Sequence, residues 1–113
     1  MVGGYGGEGP SYHNCLERLD LSTLEWKELS PMVFKRCYVG TCLLNDRILA
    51  VGGHDGLLRH NTVEEYDIGS NQWFPLPDMV FHRSDFAIVN FLGKVYAIGG
   101  FNGQVHQYSS FKI

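Results

Sequence analysis

A shift of 47 residues lays positions 16–53 of this chain onto positions 63–100 without a gap. Glu17 meets Glu64, Asp20 meets Asp67, Trp26 meets Trp73 and Leu29 meets Leu76. The pentapeptides MVFKR (Met32–Arg36) and MVFHR (Met79–Arg83) coincide, as do Ala50 with Ala97 and Gly52-Gly53 with Gly99-Gly100. A repeat of this length constrains the fold more than any other feature. Each unit is one supersecondary element that cannot bury both faces alone, so stability must come from stacking neighbouring units.

The unit reads as β-structure. RILAV and KVYAI are short apolar runs that each end in Gly-Gly. TVEEYD and CLERLD are rich in β-formers or alternate in polarity. CYVGTCLL and FAIVNF are apolar on both faces, the pattern of buried strands. Turn residues separate them: Asn45-Asp46, Leu92-Gly93 and Ile68-Gly69-Ser70-Asn71. No stretch keeps a helical period, and Pro31, Pro75 and Pro77 disfavour helix around the tryptophans. The expected strands of the first unit are 15–20 and 26–29. Those of the middle unit are 37–44, 47–51, 62–67 and 73–76. Those of the last unit are 86–91, 94–98 and a short one at 105–108. A double glycine at a strand end lets another backbone or ring approach closely. Trp26 and Trp73 are expected to fill the space between neighbouring units.

Four short strands per unit is the pattern of a β-propeller blade. The double glycine, Tyr66-Asp67, Trp73, Leu76, Met79 and Arg83 stand at offsets that resemble the kelch repeat. HNTVEEYDI, GGHDG and GGFNG resemble its strand and glycine-turn text, in the style of the BTB–kelch (kelch-like) family. The resemblance implies an all-β fold: an incomplete kelch propeller of about two to two and a half four-stranded antiparallel blades. It implies one partial domain over residues 1–113, with sequence repeats, offset from the strand groups above, at about 3–51, 52–98 and an incomplete third at 99–113. Gly3, Gly4, Gly52, Gly53, Gly99, Gly100, Trp26, Trp73 and Tyr66 take structural roles in it. Closed propellers typically have about 4–8 blades, so a piece of a larger kelch protein is expected.

Chemistry gives few other openings. Net charge is −3, pI is near 5.9 and the nine Lys and Arg are scattered, which argues against nucleic acid as the partner. No apolar run approaches the roughly 20 residues that span a bilayer, so no membrane partner is expected. Cys15, Cys37 and Cys42 form no C-x-x-C and read as reduced structural thiols of an intracellular chain. His13 and His60 recur through the repeat, and no histidine spacing suits a metal. No nucleophile elbow or phosphate loop is present, and Glu64-Glu65 would face opposite ways on a strand. No enzyme activity and no cofactor are expected, with a fragment of a propeller-fold enzyme as the last of the alternatives.

What remains is protein recognition. By position, the resemblance assigns partner contacts to two sets of loops, called here B–C and D–A after the strands that they join. The B–C loops offer Tyr5, His54, Asp55, Arg59, His60, Phe101 and Asn102. The D–A loops offer Arg36 and Arg83, whose guanidiniums suit a carboxylate on a bound peptide. The competing expectation is that these arginines pair within the propeller and hold its ring. The expected partners are a protein substrate or peptide and, through a BTB region outside this sequence, a cullin-3 ubiquitin ligase. Actin is the alternative, as for cytoskeletal kelch scaffolds. The expected compartment is the cytoplasm.

Overall fold

The computed structural model describes residues 1–7, 11–105 and 110–113, and at 110 and 111 the backbone only. The described residues form ten strands and no helix. The first sheet is β1 (Val2–Tyr5), β2 (Tyr12–Asp20) and β3 (Glu25–Leu29) in that order. The second is β4 (Gly40–Leu44), β5 (Arg47–Val51), β6 (Val63–Asp67) and β7 (Gln72–Leu76). The third is β8 (Ala87–Phe91), β9 (Lys94–Ile98) and β10 (Ser110–Lys112). Every pairing is antiparallel between chain neighbours. The chain thus makes one whole blade between two three-stranded ones. Blade one lacks an inner strand and blade three an outer one among the described residues.

The middle blade follows the sequence expectation closely, because its turn residues leave little choice of register. Leu44 pairs with Arg47 around Asn45-Asp46, and Asp67 with Gln72 around residues 68–71. The third blade needs two corrections. Val105 lies in a bend, and residues 106–108 of the expected strand fall outside the described residues. The strand on β9 is instead β10, with Phe111 opposite Ala97 as Glu64 stands opposite Ala50. The 47-residue register therefore holds to the C-terminus. The inner strands were also expected to be buried on both faces. Leu43, Val89 and Phe91 are exposed, because they alternate with the packed Cys42, Leu44 and Ile88 and stand on the faces of β4 and β8 against which no sheet lies among the described residues.

The main core lies between blades two and three. Leu49, Val51, Val63, Met79, Val95 and Ala97 are buried there, with Cys42, Leu44, Phe86 and Ile88 packed against them. Gly40 permits this contact: a Cβ there would stand 2.6 Å from Ile88 Cγ1 and 2.7 Å from the Phe86 ring. A second tie joins the outer edges of blades one and two. Trp73 Nε1 donates to Ser30 O at 2.7 Å, while Asn71 Oδ1 accepts from the Ser30 amide and the Tyr66 hydroxyl. Trp26 stands at the same place in blade one but is 56% exposed, which corrects its expected burial. No sheet among the described residues lies against it.

The pentapeptides carry the junctions. Met32 and Met79 are buried, each exchanging two hydrogen bonds with an asparagine of the preceding blade, Asn14 or Asn61. Four residues on, the arginine amide donates to the carbonyl of His13 or His60, at 2.9 and 3.0 Å. The arginine carbonyl then accepts from Gly4 N or Gly53 N, at 2.8 and 2.7 Å. The glycine before each makes the approach possible. A Cβ on Gly3 would meet Arg36 O at 2.2 Å, and one on Gly52 would meet Arg83 O at 2.4 Å.

Arg36 and Arg83 are 0% exposed. Their expected place among the partner contacts is thereby corrected, in favour of the competing expectation that they pair within the propeller. Arg36 donates to Gly52 O (2.7 Å), Thr62 O (2.9 Å) and Thr62 Oγ1 (2.8 Å). It also forks onto Glu64 Oε2 through Nη2 at 2.8 Å and Nε at 3.2 Å. Glu64 in turn accepts from the Val33 and Phe34 amides. Burial pulls the guanidinium below its ordinary range and Glu64 opposes the shift, but an arginine stays charged. Arg83 Nη1 donates to Gly99 O at 2.9 Å. Each arginine therefore ties the preceding blade by its backbone and its own blade by its side chain.

Two outcomes follow. Removing one partner of a buried, hydrogen-bonded ion pair costs about 3–5 kcal/mol. Arg36→Ala and Glu64→Ala should each lose about that much in urea unfolding. Arg36→Met/Glu64→Leu should recover only part of the loss, since the Val33 and Phe34 amides still lack their acceptor. Gly93 has φ of +75° and a Cβ added there would meet nothing within 4 Å, so Gly93→Ala should cost about 1–2 kcal/mol for backbone strain alone. Gly52→Ala adds the clash with Arg83 O and should cost clearly more in the same titration.

Candidate interaction surface

The B–C loops are built by side chains that sequence reasoning gave to a partner. Asp55 Oδ1 accepts from the Leu57 and Leu58 amides, each at 2.8 Å, and Oδ2 faces His60 Nε2 at 3.1 Å. Asn102 repeats the turn: its Oδ1 accepts from the Gln104 and Val105 amides, each at 2.9 Å. Such side-chain turns fix a loop's shape. His60 is 7% exposed and rests against the Phe34 ring at 4.9 Å, so its expected place on the open surface is corrected. His13 donates from Nε2 to Gly6 O at 2.8 Å. His13 and His60, the repeated pair, thus each have a structural contact of their own.

What these loops present is largely apolar and aromatic. Leu57 is 90% exposed and Leu58 65%. In the D–A loops Val33, Phe34, Val80 and Phe81 are exposed, although the methionine beside each pair is buried. Tyr5 is exposed and its ring lies 4.9 Å from Tyr12, which meets the edge of half-buried His54 at 5.5 Å. Tyr12 also leans on Gly56, so one tyrosine bridges the loops of blades one and two. Across the next junction the Arg59 guanidinium lies 4.8 Å over the Phe101 ring, and its Nε donates to Ser84 Oγ at 3.2 Å.

Arg59, Leu57, Leu58, Val80, Phe81, Asn102 and Gln104 line one cleft of about 490 Å³ between the loops of blades two and three. Its counterpart at the other junction holds Ser11, Tyr12, His13, Asn14, Lys35 and Asp55. A further cleft of about 500 Å³ lies away from the loops, between the facing sheets of blades one and two, lined by Leu16, Leu19, Ile48 and Tyr66. We read that one as a packing gap, because its walls are strand residues of the kind that neighbouring blades bury.

The structure therefore gathers Tyr5, His54, Arg59, Phe101 and Asn102 around the loop surface, and removes Arg36, Arg83 and His60 to the interior. Sequence reasoning did not single out Tyr12, Leu57, Leu58 or the Val-Phe pairs. The repeated MVF text does signal the last of these. Its repetition reads as packing throughout, whereas only its methionine is packed.

Electrostatics sets one condition on the loops. His60 is held below its ordinary value, by burial first and then by Arg36, with Asp55 opposing. It is thus neutral at pH 7 and donates a hydrogen bond to Asp55 without an ion pair. His54 is lowered too, by burial first and then by Arg59. Asp55 would be raised by burial, but the Leu58 and Leu57 amides and then His60 bring it below its ordinary value. An unfolded histidine, with its ordinary value of 6.5, takes up a proton before these folded ones do. Stability is therefore full above about 6.5 and falls as pH drops through that value. Thermal melts between pH 8 and 5 should show that decline, and His60→Gln should make it shallower.

Comparison with known proteins agrees with this architecture. The Kelch motif matches residues 2–33, 35–80 and 82–110, one match for each sheet. Kelch-like protein 5 of Homo sapiens is 46% identical over 43 residues, which is 38% of this chain and 6% of that protein. Kelch-like protein 1 of Mus musculus is 42% identical over 53 residues, 42% of this chain and 7% of that protein. The chain thus matches only a small fraction of the length of these relatives. With its three motif matches and its three blade-like antiparallel sheets, the chain belongs to the Kelch-motif family.

Proposed function

We propose that this chain is part of a protein-recognition propeller that takes a segment of a partner across its B–C and D–A loops. The observation that carries this reading is a rigid frame with an apolar, aromatic display. The loop backbones are pinned by Asp55, Asn102 and the buried arginines, while Tyr5 stands exposed on one loop and Leu57, Leu58, Val80 and Phe81 stand exposed around the Arg59 cleft. Pre-ordered loops lower the entropy lost on binding. Tyrosine and arginine are the residues that most often dominate protein interfaces. The proposed partner contacts are Tyr5, His54, Arg59, Phe101 and Asn102, with Leu57 and Leu58 added. The module binds and carries out no reaction of its own.

The similarity to kelch-like proteins supports a finer reading, in which the loops serve a cytoplasmic adaptor of a cullin-3 ubiquitin ligase. In that family the cullin is held by BTB and BACK segments, which do not occur among these 113 residues. The chain alone should then capture peptides without capturing the cullin. An actin-binding scaffold is the second reading, and co-sedimentation with filaments separates the two.

The test is a panning experiment with a random dodecapeptide phage library on the immobilised chain. Enriched peptides should lose about tenfold in affinity on Arg59→Ala or Leu57→Ala/Leu58→Ala, with the melting temperature within a few degrees of the parent. A library that shows no enrichment over a blank surface would overturn the reading.

A further inference from the structure

Among the described residues, six that are not glycine have positive φ: Leu24, Tyr38, Asn45, Asn71, Asp85 and Leu92. Four of them close the hairpins β2–β3, β4–β5, β6–β7 and β8–β9, where such a conformation is routine. Tyr38 (φ 50°) and Asp85 (φ 53°) are in no hairpin. They are equivalent positions of the repeat, each two residues after a buried arginine. A bulky residue such as tyrosine in this region is a true outlier, and such strain clusters at binding sites.

The surroundings explain how the conformation is enforced. The preceding residue is clamped to the B–C loop of its own blade. Cys37 exchanges two backbone hydrogen bonds with His54, and Ser84 two with Phe101. The arginine before it is locked on both sides. The next residue is left to turn outward, and both are exposed, Tyr38 by 60%. The two meet across the blade junction, where Asp85 N donates to Tyr38 O at 3.2 Å. The Asp85 carboxylate meets no hydrogen-bond donor and no cation among the described residues, and no ion pair joins it to Arg59.

We infer that Tyr38 and Asp85 form a cation-receiving edge of the loop surface, which takes a lysine or arginine side chain of the partner segment. Asp85 supplies the countercharge, and Tyr38, joined to it through the backbone, supplies an exposed aromatic ring. The neighbouring Arg59 is engaged elsewhere, with its guanidinium over the Phe101 ring and its Nε on Ser84 Oγ. The surface therefore favours a segment with a basic residue at one fixed place. This inference rests on the recognition reading proposed above.

The same dodecapeptide library tests it, panned in parallel on the parent chain, Asp85→Lys and Asp85→Asn. The parent pool should carry Lys or Arg at one fixed position. Asp85→Lys should select Asp or Glu there, and Asp85→Asn should bind the parent's peptide about three- to fivefold more weakly. Tyr38→Gly should raise the melting temperature by relieving the backbone while weakening the same peptide, a split that a purely structural tyrosine would not give. Parent and Asp85→Lys pools of the same sequence would overturn the inference and leave the recognition reading standing. No enrichment by the parent would overturn both.

Discussion

The seating of an arginine between two blades is the contact on which the rest of this structure depends. The Arg36 carbonyl sits on the Gly3-Gly4 pair of one blade while its guanidinium fills the next, from Gly52 O to Glu64. Arg83 repeats the arrangement on Gly52-Gly53 and Gly99. Neither end of this contact tolerates substitution by size. The glycine cannot gain a Cβ, and the buried carboxylate cannot lose its cation without being stranded in a low-dielectric interior. Sheet pairing forms each blade, but these two residues set where one blade stands against another.

That placement governs the loop surface. Because the arginine is consumed internally, the side chains around it are sorted into two groups. Met32, Met79 and Glu64 turn inward, and Val33, Phe34, Val80 and Phe81 are left outside. The residue that follows the clamped Cys37 or Ser84 is forced into a left-handed conformation at the junction. Recognition and packing are thus neighbours in one short segment, and the same backbone serves both. The two junctions are not alike. Blades two and three meet inner strand to inner strand and bury a core, whereas blades one and two leave a cleft between the faces of their sheets, from Leu16 and Leu19 to Ile48 and Tyr66.

Much of this was legible in the sequence. The repeat placed six strands within a residue or two, because polar turns such as Asn45-Asp46 and Leu92-Gly93 fix them locally. The double glycine was legible as a site of close approach. For Arg36 internal pairing was one of two open expectations; the sequence could not decide between them, since its carboxylate lies 28 residues away on another strand and only the assembled blade brings it near. Exposure of Leu43, Val89 and Phe91 was equally hidden: an apolar strand looks the same whether or not a neighbour covers it. The last strand was missed because SSFKI has no turn signal, although the 47-residue shift pointed there. Tyr38 and Asp85 carried no signal at all, since left-handed backbone is imposed on them by their neighbours.

Amide hydrogen exchange tests the central claim most directly. The amides of Gly4 and Gly53 donate to Arg36 O and Arg83 O from positions that chain composition alone would mark as loose loop starts. If the arginine seats hold the blades together, these two amides should exchange about as slowly as those of the central strand β5, through global unfolding. Exchange as fast as that of the exposed Gly56 and Gly103 amides, with β5 still protected, would show that the blades part at these seats and would contradict the account.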